Sequence, residues 1–215
     1  MAQQVLNLLQ VGKPAGQNAF GTTPPMRAGG GADAIVSELL PRYGRLTADG
    51  QVFSVTFAAA ALAVVSGTAA GAFLLANPLN SGVAAILIDC MPGITAFTAT
   101  TGGCSVILGG LGNAVLTSLG TAVVPNSTLV GSSITPQLRA YPSGTIAQTP
   151  VPIRALTNLY VDLAAGDIAA LKDEISGAVI ILPGSAVNIY GLGGTPADIT
   201  LQPTFTWAEV AWPLP

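Results

Sequence analysis

Cys90 and Cys104 are the most nucleophilic side chains in this sequence, and each stands at the edge of an apolar run. A thiol pair can close a disulfide, hold a soft metal or attack an electrophile. Metal binding lacks further ligands, because the chain contains no His and only Asp89 adjoins either thiol. The pair is therefore read as two small buried hydrophobes. Acid–base chemistry is no better served. The 10 acidic residues are scattered, and the one adjacent pair, Asp173-Glu174, follows Lys172 as it would on a solvated helix face. There is no G-x-S-x-G elbow. Gly110-Leu111-Gly112 begins like a dinucleotide fingerprint, but Val115 stands where the third glycine is required. Asn126-Ser127-Thr128 has the form of a glycosylation acceptor and reads as a plain turn, since no basic region precedes the first apolar stretch as in a secretory leader. These residues predict a protein that is not an enzyme and uses no cofactor or metal.

The composition says what kind of body must carry them. Of 215 residues, 26 are Gly and 16 Pro, while charged residues make only 8%. Soluble domains ordinarily carry roughly 25% charge. Long solvated helices need Lys and Glu on their outer faces, so a helix bundle is excluded. Half the residues are apolar, enough to bury a core. A net charge of −3 with 7 dispersed basic residues offers no patch for nucleic acid. A globule of this length exposes on the order of 9,000 Å². That leaves about one charge per 500 Å², sparse for a solitary monomer, and predicts that lipid, identical subunits or another protein covers much of the exterior.

Lipid is the weakest of the three. Residues 52–76 carry no charge, yet Ala is frequent among them and Ser54, Thr56, Ser66 and Thr68 dilute the rest. No Lys or Arg from Leu46 to Leu138 sets an orientation, and no aromatic belt marks an interface, so no membrane partner is expected.

Two regions differ in character. Residues 1–45 hold four basic residues, the run Gly29-Gly30-Gly31, and Pro14, Pro24 and Pro25. This reads as an extended arm, with Val5, Leu6, Leu8 and Leu9 available to lie against a neighbour. Residues 46–215 show short β-rich segments punctuated by turn residues, the pattern of an all-β sandwich domain. Ala48-Asp49-Gly50 opens an alternating strand at 51–57 as a hairpin turn would. Residues 83–91 form a continuous apolar strand after the turn cluster 77–82. Further strands are expected at 104–108, ended by Gly109-Gly110, and at 115–124. Residues 125–152, rich in Ser, Thr, Pro and Gly, read as a long surface excursion. Residues 167–175 are the one helix-like segment. Pro183-Gly184 joins 177–182 to 185–190 as a hairpin. In the last strand, Ile199, Leu201, Phe205 and Trp207 fall on odd positions and Thr200, Gln202, Thr204 and Thr206 on even ones, so one face is buried and the other wet. Phe205 and Trp207 are thus core or interface candidates. Pro203, in phase with the buried set, predicts an edge or a bulge.

Leu39-Leu40-Pro41-Arg42-Tyr43-Gly44-Arg45-Leu46, the turn Leu75-Ala76-Asn77-Pro78 with Ser81-Gly82, Gly177-Ala178-Val179-Ile180 before Pro183-Gly184, and the closing Phe205-Thr206-Trp207-Ala208-Glu209-Val210 resemble small jelly-roll virion proteins of tailed bacteriophages. The resemblance covers about residues 40–212. It implies a jelly-roll β-sandwich that packs as a homotrimer, similar to tumour necrosis factor or complement C1q heads, on the capsid surface of the virion. The expected function is a capsid decoration or cement protein, in which the arm at 1–45, most of it outside the resemblance, binds the major capsid protein. The alternative is a tail-fibre or spike tip, in which the 125–152 excursion offers Tyr141 and Arg139 to a host glycan.

Overall fold

The computed structural model describes residues 27–28, 34–35, 43–62, 70–97, 104–112, 116–146, 148–159, 175–193 and 199–213. The chain divides into two compact units, Met1–Arg45 and Leu46–Pro215. In the first, β1 (Arg27–Ala28) pairs antiparallel with β2 (Ala34–Ile35). The arm residues Val5, Leu6, Leu8 and Leu9 lie outside the described residues, as does most of the helix-like segment at 167–175.

A five-residue helix, α1 (Gly44–Ala48), precedes the first long strand. Here the expected hairpin gives way to a helix cap. Gly50 N–H donates to the Thr47 carbonyl and Gln51 N–H to the Leu46 carbonyl, both at 2.9 Å, while Gly50 takes a φ of 71°. That pair of bonds is a Schellman ending, which needs a left-handed residue just past the last turn.

The strands that follow are β3 (Val52–Thr56), β4 (Ala60–Ala61), β5 (Ala70–Ala76), β6 (Val83–Phe97), β7 (Cys104–Leu111), β8 (Leu116–Leu119) and β9 (Asn126–Ser127). The rest are β10 (Arg139–Ile146), β11 (Val151–Leu159), β12 (Val179–Ile181), β13 (Ala186–Leu192) and β14 (Ile199–Ala211). They form two antiparallel sheets. Sheet I runs β11-β7-β13-β5-β10-β8, and sheet II runs β12-β6-β14-β3-β9 with β4 also against β14. Between them lies one core that draws Phe53, Leu87, Phe205 and Trp207 from sheet II and Leu75, Leu108, Val187 and Ile189 from sheet I. This is the all-β sandwich architecture that the turn spacing predicted. Among the described residues no helix is long and apolar enough to cross a membrane.

β14 holds the strict alternation read from its sequence, with Ile199, Leu201, Phe205 and Trp207 fully buried. Its neighbour β6 absorbs the irregularity. The register steps from Thr206↔Asp89 to Trp207↔Leu87 and from Thr200↔Ala96 to Leu201↔Ile94, so the extra residues, Ile88 and Thr95, sit on β6. Pro203 marks no sheet edge, because β14 is central. Its carbonyl accepts from Phe57 N–H at 3.0 Å on the side away from β6, where β3 has ended and β4 has not begun. Its missing donor faces that same gap, and across β6 it meets Pro92.

Three other expectations fail for identifiable reasons. Residues 125–152 are no single excursion: β10 lies within sheet I between β5 and β8, and 128–138 is the longest irregular stretch described there. The register crosses Pro142 from Tyr141↔Leu74 to Ser143↔Ala72, opposite Phe73, whose φ of 55° interrupts β5 at the same place. Gly109 and Gly110 do not end β7 but continue it, since a Cβ on Gly109 would stand 2.6 Å from Tyr190 Cε1 and 2.8 Å from Pro150 Cβ. Finally, β12 and β13 are joined at Pro183-Gly184 yet pair with different sheets, β12 with β6 and β13 with β5 and β7. The turn there carries the chain across the sandwich.

Candidate functional site

The residues with chemical potential are dispersed and mostly interior. Cys90 and Cys104 are both free, buried thiols within the main core. Burial, and next the Asp89 carboxylate, hold the Cys90 thiol well above its ordinary pKa. Burial also raises Cys104, opposed by a backbone hydrogen bond at Leu192. Neither is placed as a nucleophile. Among the described residues no group of three His, Cys, Asp or Glu could hold a metal. Lys172, Asp173 and Glu174 lie outside them. Phe205 and Trp207 are interior: Phe205 meets Phe57 edge-on at 5.9 Å, and Trp207 lies 6.2 Å from Phe53. Tyr141 is buried beside Leu74, Leu111 and Ala186 and shows no ring face to a sugar, although Arg139 two positions earlier is exposed.

The carboxylate that organises a surface is one the functional reading left out. Glu209 is 8% exposed. Its Oε1 accepts from Leu138 N–H at 3.0 Å and from Trp207 Nε1–H at 3.2 Å, and Gln137 N–H reaches both oxygens at 2.9 and 3.0 Å. Charge-assisted bonds of this type are about twice as strong as neutral ones. They fix the end of the 128–138 loop. Its beginning is tied by Thr128, whose backbone N–H and Oγ1–H both donate to the Val52 carbonyl at 2.9 and 3.1 Å. Within the loop, Ser132 N–H donates to the Leu129 carbonyl and Ile134 N–H to Ser132 Oγ. Ile134 lies over Gly50 and leaves no space for a Cβ there.

A loop anchored at both ends presents apolar side chains outward. Val130 is 97% exposed and Val124 75%, with Leu129 and Ile134 beside them. No residue from 121 to 137 carries a charge. This loop follows β9, the outermost strand of sheet II on that side.

The opposite side of the sandwich is open. There β11 is the outermost strand of sheet I and β12 that of sheet II. Between them lies a cleft of about 260 Å³, lined by Gly110, Leu111, Val151, Ile153, Ile180 and Val187 among others, all uncharged. Val151 is 67% exposed, and Ile153, Ile180 and Leu182 also face solvent. β11 itself carries Pro152 and Arg154, the proline and charge that blunt an edge against strand addition, so what stands open is the apolar cleft beside it.

The chain was compared with protein-family models, with curated proteins and with solved structures. None of them matches. The functional reading thus rests on these two uncharged apolar surfaces at opposite edges. Sequence reasoning predicted covered surface from the low charge without locating it. The signal for Glu209 was present: it continues the odd-numbered buried series of β14, where a carboxylate has to find donors.

Proposed function

We propose that this chain is a structural virion component of a tailed bacteriophage, a capsid decoration or cement protein. In this reading the sandwich is a jelly roll that assembles as a homotrimer, and the arm at 1–45 binds the major capsid protein on the capsid surface. The observation that carries the proposal is the pairing of a charge-poor, well-packed β-sandwich with ordered apolar surfaces left open at two edges. A body with that exterior suits permanent burial among neighbours better than turnover of a diffusing substrate. The resemblance of residues 40–212 to jelly-roll virion proteins supplies the phage context.

The mechanism is passive. Val5, Leu6, Leu8 and Leu9 would lie on the shell, bury apolar surface and add main-chain hydrogen bonds, tying adjacent shell subunits together. Deletion of residues 1–30 is expected to leave a folded trimer that no longer co-sediments with purified capsids; undiminished co-sedimentation overturns the proposal. The alternative of a fibre or spike tip binding a host glycan draws less support, because Tyr141 is buried. Gel densitometry of virions separates the two: a decoration protein is present in hundreds of copies, a tip in a few dozen or fewer.

A further inference from the structure

The two apolar surfaces are complementary in kind. One is a projection, the loop carrying Val130 beside β9; the other is a recess, the cleft between β11 and β12. They occupy opposite ends of the strand order in both sheets, so one molecule cannot satisfy its own pair. At about 260 Å³ the cleft is smaller than the roughly 300–1,000 Å³ of typical small-molecule sites, and it offers few polar groups to orient a metabolite. It suits aliphatic side chains delivered by another polypeptide.

We infer that the Leu129-Val130-Gly131 tip of one copy seats in the β11–β12 cleft of the next. The inference rests on the assembly part of the function proposed above and names the surfaces that assembly uses. Three features of the chain favour a second copy as the occupant. Neither surface bears a charge, so identical chains of net charge −3 meet without local repulsion. The tip is held before contact by the Glu209 and Thr128 bonds, which lowers the ordering cost of association. Gly131, at a φ of 88°, turns the backbone so that Val130 stands clear of its own domain. Because projection and recess are different patches, the contact is head-to-tail, and such contacts close into rings when the rotation per copy permits. A homotrimer is one such ring.

Full-length protein should be examined by sedimentation velocity and native mass spectrometry as wild type, Val130→Asp and Val151→Asp. Val130 is almost wholly exposed in the single chain, so the dissociated Val130→Asp protein is expected to keep the circular-dichroism spectrum of the folded sandwich. If Val151→Asp loses that spectrum, Ile180→Asp on the other lip of the cleft takes its place. The wild type is expected to be a trimer. Each variant is expected to dissociate with a midpoint raised about 100-fold or more, as when a central apolar anchor is lost. Mixing the two monomeric variants should yield a one-to-one heterodimer, since one keeps an intact cleft and the other an intact loop. A wild-type trimer that survives Val130→Asp, or mixed variants that stay monomeric, overturns this contact and leaves the assembly reading standing. A monomeric wild type overturns both.

Discussion

Glu209 brings the charge of a carboxylate into a position that alternation reserves for apolar side chains. It is tolerable there because two backbone N–H groups and the Trp207 indole N–H converge on it. Glu209→Gln can keep an oxygen at the Oε1 position, where all three donors meet, but it turns an NH₂ toward Gln137 N–H in place of Oε2 and removes the charge that strengthens every bond. The expected cost is about 2–3 kcal/mol, read as a lower melting temperature together with faster proteolysis within 128–138. An unchanged melting curve would show the clamp to be incidental. Cys90 makes a second prediction at this scale. The folded state holds its thiol proton tightly while the unfolded chain releases it near pH 8.5. The native state then binds more protons than the unfolded one, so stability is complete below about pH 8.5 and declines as pH rises above it. Urea midpoints for wild type should fall between about pH 8.5 and 10 more steeply than those of Cys90→Ala. Parallel slopes would remove Cys90 from the alkaline transition. At the residue scale much was legible: the interior position of Ile199, Leu201 and their successors followed from alternation. The same alternation marked Glu209 as an inward position, but its donors were not legible, because the Gln137 and Leu138 N–H groups come from a distant part of the chain.

Strands and turns were legible as units, and their partners were not. The residues of β12 and β13 and the turn at Pro183-Gly184 are plain in the sequence. However, a short turn serves equally to fold a strand onto its neighbour or to carry it across to the facing sheet. Breaker residues misled in a related way. Pro142 fell in a segment that read as a loop and the 109–110 glycines read as an end, whereas tertiary crowding around Gly109 and the local interruption at Phe73 place them inside strands. Asn77 shows how the crossing is secured. Its Nδ2 donates to the Val83 carbonyl at 2.8 Å and the Ile181 carbonyl at 3.0 Å, while its backbone exchanges bonds with Ser185 and Gly184 at 2.9 Å. One buried side chain thereby ties the β5–β6 connection to the β12–β13 connection. Asn77→Ala takes a donor from the Ile181 carbonyl and leaves the Val83 carbonyl with Ser81 Oγ–H at 3.2 Å, and should cost about 2–4 kcal/mol, counting roughly 1–2 for each bond lost. Asn77→Asp, which keeps the size but has no donor, should be at least as damaging. Chemical denaturation measures both, and a loss below about 1 kcal/mol would mean the two turns hold independently.

For the whole molecule, the sequence disclosed a deficit of charge, and the fold converts that deficit into location. Two six-stranded sheets with one shared core leave apolar side chains at both open edges, the 128–138 loop on one side and the β11–β12 cleft on the other. Location depended on strand order, which arises from long-range pairing that local patterns do not encode. An assembly held through such surfaces should behave unlike one held by ion pairs. Added salt screens charges, and neither surface has any to screen, so the dissociation midpoint should shift by less than about threefold between about 50 and 500 mM NaCl. Sulfate should tighten association, because it raises the cost of exposing apolar surface, and cooling should loosen it, because apolar burial contributes less at low temperature. Sedimentation velocity across salt type and temperature reads all three responses. Dissociation that grows with NaCl, or association that strengthens on cooling, would assign the contact to charged groups elsewhere on the surface. The apolar edges would then need a different occupant.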